Sequence, residues 1–226
     1  MKTTLTFLLI IAPLYSVHAQ SGLYMPLEFQ KAYQAQTRSY DGTPGPRYWR
    51  NYTKYFIDVS VQPGSWEVIG QQRAVYLNHS PDTLESIILR TYPNHYKRGG
   101  VRDQAISPNN LTDGIQLRNL YIDSVPLTSE RIEEHATFLK ITLPHQLLPS
   151  DSIVLSVDWT MVLPSVYENR IGAYDAHSAF VGYWYPQIGV YDDIDGWDTY
   201  EYLGKQEFRA CLKILFGFYA KRLIMI

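Results

Sequence analysis

Apolar residues recur at every second position through most of this chain. Tyr55, Ile57, Val59 and Val61 share one face of an extended segment, with Asp58 and Ser60 opposite, the period of a strand buried on one side. Gln62-Pro63-Gly64-Ser65 follows, with proline and glycine where a type II turn takes them. Trp66 to Asn78 reads as a second long strand. Its apolar phase moves from Trp66 and Val68 to Val75 and Leu77, which predicts a bulge near Gly70. Asn78-His79-Ser80-Pro81-Asp82 turns the chain into a strand over Leu84–Tyr92. Further strands are predicted at Ile115–Ile122, Thr137–Leu143 and Ser152–Val162, the last with Ile153, Leu155, Val157, Trp159 and Met161 on one face. Arg98–Asp113 and Arg170–Ser178 read as irregular. Helix is confined to Leu23–Tyr40, and Asp41-Gly42-Thr43-Pro44-Gly45-Pro46 ends it. Short strands joined by turns in this way predict an all-β fold, an antiparallel β-sandwich.

The first residues carry a different pattern. Lys2, the apolar run Leu5–Leu14 and the small residues around Val17-His18-Ala19 have the layout of a secretory signal peptide cut before Gln20. The run is short of the roughly 20 residues a spanning helix needs. The reading implies an exported protein, periplasmic or extracellular. One cysteine in the sequence, Cys211, forms no internal disulfide, so the core must hold the fold. With a net charge of −2 and no basic stripe before the C-terminal segment, nothing points to nucleic acid. The 19 tyrosines and 5 tryptophans suit half-buried sheet faces and ligand contacts alike.

The residues that usually carry chemistry are dispersed. His79, His95, His135, His145 and His177 include no H-E-x-x-H spacing, and no C-x-x-C is present. Glu133-Glu134-His135 reads as a solvated charge cluster. Neither G-x-S-x-G nor a glycine-rich phosphate loop occurs. Asp192-Asp193-Ile194-Asp195-Gly196-Trp197-Asp198 looks like half of a calcium loop. Tyr191 stands where its first ligand belongs and Glu201 falls one residue early, so a structural turn is expected. Asn51, Asn78 and Asn110 lie in N-x-S/T sequons. No catalytic, cofactor-binding or metal residue is assigned to this chain from spacing alone. Trp184 and Trp197 are expected to be core residues, as tryptophans flanked by strand-like sequence usually are.

Several runs, in order, resemble one family. They are Tyr48-Trp49-Arg50-Asn51, Asn78-His79-Ser80-Pro81-Asp82-Thr83-Leu84, Leu89-Arg90-Thr91-Tyr92-Pro93-Asn94, Leu143-Pro144 with Leu148-Pro149, Tyr183-Trp184-Tyr185-Pro186-Gln187, Val190-Tyr191-Asp192-Asp193 and Gly196-Trp197. Together they resemble the N-terminal domain of secreted bacterial aminopeptidase N-like zinc metallopeptidases, over roughly Leu27 to Phe208. The resemblance implies a saddle-shaped β-sandwich packed on a thermolysin-like domain, whose H-E-x-x-H and downstream glutamate hold zinc and whose motif glutamate acts as general base. It further implies peptide substrates reached through that other domain, with the substrate α-amine gripped partly by the N-terminal domain before the Trp-Tyr-Pro run. Asp175 and His177 lie in that neighbourhood but match no motif of the family.

The resemblance stops at Phe208. Tyr167-Glu168-Asn169 lacks the Gly and Met of the family's G-x-M-E-N motif, and Arg209–Ile226 carries four basic residues and no carboxylate. An interrupted reading frame is the expectation for this tail, with an amphipathic membrane-tethering segment as the alternative. The layout is therefore a signal peptide at 1–19, an extension and linker at 20–47, an aminopeptidase-type sandwich at 48–208 that is incomplete at its C-terminal end, and an atypical tail at 209–226. An unpaired sheet edge and poor solubility would follow from missing strands. On this reading the chain is the non-catalytic N-terminal domain of an exported zinc metallopeptidase and is inactive by itself, with zinc belonging to the intact enzyme. A stand-alone secreted binding module using its aromatics for glycan or peptide contact is the alternative.

Overall fold

The computed structural model describes residues 24–62, 64–166, 168 and 170–204, together with the backbone of 211–218. The expected signal peptide lies outside the described residues, as do the side chains of the tail. One helix, α1 (Leu27–Gln34), precedes the strands. These are β1 (Tyr52–Gln62), β2 (Glu67–Leu77), β3 (Leu84–Arg90), β4 (Gln116–Ile122), β5 (Val125–Pro126), β6 (Ile132–Glu134), β7 (Phe138–Leu147), β8 (Ser152–Val162), β9 (Ile171–Ala173), β10 (Ala179–Val181), β11 (Gln187–Ile188), β12 (Tyr191–Asp192), β13 (Gly196–Trp197) and β14 (Cys211–Phe218).

The expected all-β sandwich is present. A six-stranded sheet in the order β14-β1-β2-β8-β4-β5 packs against a four-stranded sheet in the order β11-β3-β7-β6. One core cluster joins them, with Tyr55, Ile57, Leu155 and Trp159 from the larger sheet and Ile87, Leu89 and Ile141 from the smaller. Two small hairpins, β9–β10 and β12–β13, sit outside these layers.

The inward face of β8 is the one its alternation predicts: Ile153, Leu155, Val157, Trp159 and Met161 are all buried. In β2 the pattern misleads. Its register runs unbroken against both β1 and β8, so no bulge occurs at Gly70. Val68, Gly70, Gln72, Ala74 and Tyr76 all point inward. Gln72 takes an apolar position with its Nε2 donating to the Pro186 carbonyl at 2.8 Å, which offsets part of the cost of burying the amide, while its Oε1 has no partner among the described residues. Gly70 is in the core because the Trp159 ring of the neighbouring strand occupies the place of a side chain. The register shifts lie elsewhere, at Leu84/Ser86 and at Arg118/Tyr121, where Asn119 adopts φ 50°.

Helix α1 is shorter than its sequence signal. The chain leaves it through Gln36 at φ 61°, and Thr37 closes the end by bonding back to Ala32. The linker is fixed by Asp41, whose Oδ1 accepts from the Thr43 amide and hydroxyl. Arg38 and Thr37 then tie this segment to Asp193, with an Arg38 Nη2–Oδ1 distance of 2.5 Å.

An unpaired sheet edge is the expectation if strands are missing; the β1 edge is backbone-paired. β14 runs parallel to β1 from Tyr52↔Cys211 to Val59↔Phe218. The segment's own sequence allows this, since Leu212, Ile214, Phe216 and Phe218 stand at every second position, so the expectation of a tail without a strand is corrected.

Adding a methyl group at Gly70 drives it into the Trp159 ring. Gly70→Ala is expected to lose about 2 kcal/mol, with a lower urea midpoint at constant m. An unchanged midpoint would show that the core relaxes freely there.

Candidate functional site

The runs that carry the resemblance gather in two places, around Arg90 at the C-terminal end of β3 and around an aromatic cleft towards its N-terminal end. β3 is apolar nearly throughout, with Ile87, Ile88 and Leu89 buried, and then ends in Arg90, which is only 2% exposed. A buried guanidinium requires acceptors. The segment 198–204 provides them. Nη1 of Arg90 donates to the Tyr200 carbonyl at 2.5 Å, Nη2 donates to the Asp198 carbonyl at 2.6 Å, and the Asp198 carboxylate pairs with the same group. Glu201 anchors this strap on the other side. Its carboxylate accepts from the Ala136 amide at 3.0 Å, the Thr137 amide at 2.8 Å and the Thr137 hydroxyl at 2.5 Å. The Thr137 hydroxyl oxygen in turn accepts from the Tyr202 amide at 2.7 Å.

Beneath the strap lies a 3-10 turn, Tyr92–Tyr96, in which every residue is buried. The Tyr202 ring meets Tyr92 at 5.0 Å and His95 at 5.6 Å, both edge-on. His95 is 1% exposed, and neither ring nitrogen makes a hydrogen bond of ordinary geometry among the described residues. Burial lowers its pKa and Arg102 adds to the effect; Asp103, Glu168 and the nearby Tyr202 backbone pull weakly the other way. The ring is therefore neutral at neutral pH. Burial pushes the Tyr92 hydroxyl up to about 12.

An aromatic cleft of about 80 Å³ adjoins the linker, lined by Trp49, Asn51, Thr53, Tyr76, Val190 and Tyr191. Trp49 stacks on Tyr191 at 5.7 Å, and Trp197 bridges Tyr191 and Tyr76. Asn51 donates to the Tyr76 hydroxyl oxygen at 2.7 Å, and Tyr191 donates to Asp82 at 2.9 Å. Burial raises the pKa of both tyrosines, so they stay neutral hydrogen-bonding groups. On the outer face of the larger sheet, an open groove of about 520 Å³ runs past Phe56, Asp58, Arg73, Tyr121 and Asp158. The Arg73 guanidinium lies 4.4 Å over the Phe56 ring.

The acidic run does not gather its carboxylates. Asp192 accepts from the Ile194 and Asp195 amides and so closes the β12–β13 turn. Burial would raise the Asp193 carboxyl, yet the bonds from Arg38 and Thr37 hold it below the usual range. Asp198 serves Arg90 and Glu201 serves Thr137. This is the structural turn expected from the failed ligand count. Asp175 is likewise spent on its own loop: Oδ1 accepts from the His177 and Ser178 amides, and these bonds keep its pKa low. His177 is exposed beside it.

The remaining histidines face separate partners. His79 contacts the Arg50 carbonyl at 2.9 Å, His135 contacts Glu133 at 3.0 Å, and His145 contacts Asp123 at 3.1 Å. Among the described residues no group of three His, Cys, Asp or Glu is placed to hold a metal ion. Trp184 is buried against Trp159 at 5.5 Å, whereas Trp197 is half-buried at the cleft. The sequon asparagines are structural: Asn78 is fully buried and donates to the carbonyl of Asp82, Asn110 is 3% exposed, and Asn51 holds Tyr76.

The roles of Arg90, Glu201, Thr137 and His95 escaped the sequence reading. A signal existed for one of them, since an arginine that continues an apolar strand demands a partner.

No protein-family model matches the chain, and no curated protein does. Solved structures with partial likeness include a two-domain M1 zinc metallopeptidase bound to L-tryptophan, at 12% identity over 60% of this chain and TM-score 0.36. An M1 zinc metallopeptidase from Deinococcus radiodurans bound to a Tyr-Ser-Ala substrate gives 14% identity over 54% and TM-score 0.36. Aminopeptidase A of Legionella pneumophila in complex with aspartic acid gives 13% identity over 53% and TM-score 0.32. The matches span 26%, 23% and 11% of those structures.

Replacing Arg90 by methionine leaves the Asp198 carboxylate and two strap carbonyls without their donor. The expected loss is about 3 kcal/mol or more in urea unfolding. A variant as stable as the wild type would show that the strap is held by other contacts.

Proposed function

We propose that this chain is the non-catalytic N-terminal domain of an exported zinc metallopeptidase of the aminopeptidase type. One observation carries the reading: the sequence runs that carry the resemblance are spent on one another. Leu89 and Arg90 pair with Ile188 and Gln187, and Arg90 also holds Asp198 and Tyr200. The Tyr48–Asn51 run, the Asn78–Leu84 run and the residues from Val190 to Trp197 meet around the aromatic cleft. Residues used in this way fix a shape. Among their ionisable members Arg90 and Asp193 are salt-bridged, and Asp82 and Asp192 accept hydrogen bonds from their own surroundings. Tyr92, Tyr185 and Tyr191 are phenols kept neutral by burial, so these groups are poorly suited to exchange protons with a substrate. That is the chemistry of a scaffold that flanks an active site.

The described histidines do not fit zinc, because each engages a different part of the surface or core. In this reading zinc belongs to another domain, where it would polarise a peptide carbonyl and activate water. The proposed layout keeps a signal peptide at 1–19, an extension at 20–47 and the sandwich at 48–208. The tail at 209–226 is read as the product of an interrupted frame, with a membrane-tethering segment as the alternative. Among the described residues no helix is long and apolar enough to cross a membrane.

The outer groove favours a second reading, a binding module for a glycan or peptide. The exposed Asp58, which pairs with no cation among the described residues, and the half-buried rings of Phe56 and Tyr121 offer polar and ring contacts in one open channel. Titration with oligosaccharides or peptides, read by shifts of the Tyr121 and Asp158 amides, would support this reading where the first predicts none.

Purified 226-residue protein, incubated with zinc and an aminoacyl chromogenic substrate, is expected to show no chelator-sensitive hydrolysis. Robust hydrolysis abolished by chelator would overturn the proposal.

A further inference from the structure

We propose that the strap from Asp198 to Gly204 is an acid-sensitive latch, closed over His95 while that ring is neutral and opened when it takes a proton. The geometry carries the proposal. His95 lies under the strap, with the Tyr202 ring edge-on to it, and a Cβ placed on Gly204 would come within 3.0 Å of its Cε1. Glycine at that point lets the backbone close directly on the imidazole. The strap itself runs along the surface, with Tyr200 70% exposed. It is fastened by side-chain contacts from Arg90 and Glu201 and by the Tyr202 amide on Thr137, and residues 198–204 contribute no strand to either sheet. It can therefore lift without unpairing a sheet.

Protonation would put two N–H donors on a ring that has no acceptor of ordinary geometry among the described residues. The groups facing the ring do not rescue the charge. From its own turn comes the Tyr96 ring, edge-on at 5.3 Å. The loop that follows contributes Arg102, which repels a cation, and Asp103, which attracts it. Glu168 also attracts, but its carboxylate already accepts from Asn110 at 2.7 Å. The strap contributes the Tyr202 ring, edge-on at 5.6 Å, and the Tyr202 backbone, which attracts the proton weakly. Burial outweighs these attractions, so the folded ring resists its proton. A histidine whose folded pKa is depressed stabilises the closed state fully above the free-ring pKa of about 6.5. That contribution is lost as pH falls below this value toward the folded pKa. The cheapest escape for the charged ring is water, and water is reached by lifting the strap.

The test is amide hydrogen exchange on the full chain, corrected for the intrinsic pH dependence of exchange. Protection of the Tyr202 amide is expected to fall by up to about tenfold per pH unit below 6.5. β8 amides paired with β2 should keep their protection over the same range. In His95→Phe, which keeps a ring but cannot titrate, the Tyr202 amide should show no such fall. The same fall in that variant would overturn the latch, and so would loss of β8 protection in step with Tyr202, which marks global unfolding. Should His95→Phe fail to fold, nitrogen-15 titration of the His95 ring in the wild type decides. Coincident midpoints for the ring and the Tyr202 amide support the latch, and a ring that titrates while the amide stays protected contradicts it.

Discussion

Arg90 ends an apolar strand with a charge that water barely reaches, and much of the molecule is arranged to receive it. The strand must be buried for the sandwich to close, because Ile87 and Leu89 belong to the joint core. Burying its last residue is costly unless acceptors meet it. The chain returns more than a hundred residues later with two carbonyls and the Asp198 carboxylate. Once the strap is there, Glu201 falls onto the Thr137 corner and Tyr202 seals the turn at Tyr92–Tyr96. The strap is thus a consequence of where β3 places its charge.

The strands were legible because their signal is local. β8 shows period-2 alternation over 11 residues and folds as it reads. β2 does not, because its inward face includes Gln72 and Gly70. Each is explained by a residue far away in sequence, the carbonyl of Pro186 for one and the ring of Trp159 for the other. A local pattern has no access to either, so the phase looked broken where the register is continuous. β14 was missed although Leu212, Ile214, Phe216 and Phe218 stand at every second position: the basic residues and missing carboxylates of the segment drew the reading to a tail instead of a strand.

The candidate site was legible in outline only. The motif runs could be found one by one, yet what they do appears only when they meet. Asp192, Asp193, Asp198 and Glu201 look like a metal loop in sequence and face four different partners in space. His95 looked like one scattered histidine among several, and its ring is buried with no hydrogen bond of ordinary geometry among the described residues. Spacing predicts chemistry when ligands share an element. It fails when neighbouring residues on an irregular segment point in different directions.

These features describe a domain organised to hold its own shape, and the proposed role follows from that: a scaffold that shapes and flanks a zinc centre carried elsewhere. The measurement that tests this most directly is the DNA sequence downstream of the Phe208 codon, read in all three frames. The account predicts a frame that resumes the aminopeptidase pattern and encodes H-E-x-x-H with a later glutamate. A stop with no such motif in any frame over several hundred codons would contradict it.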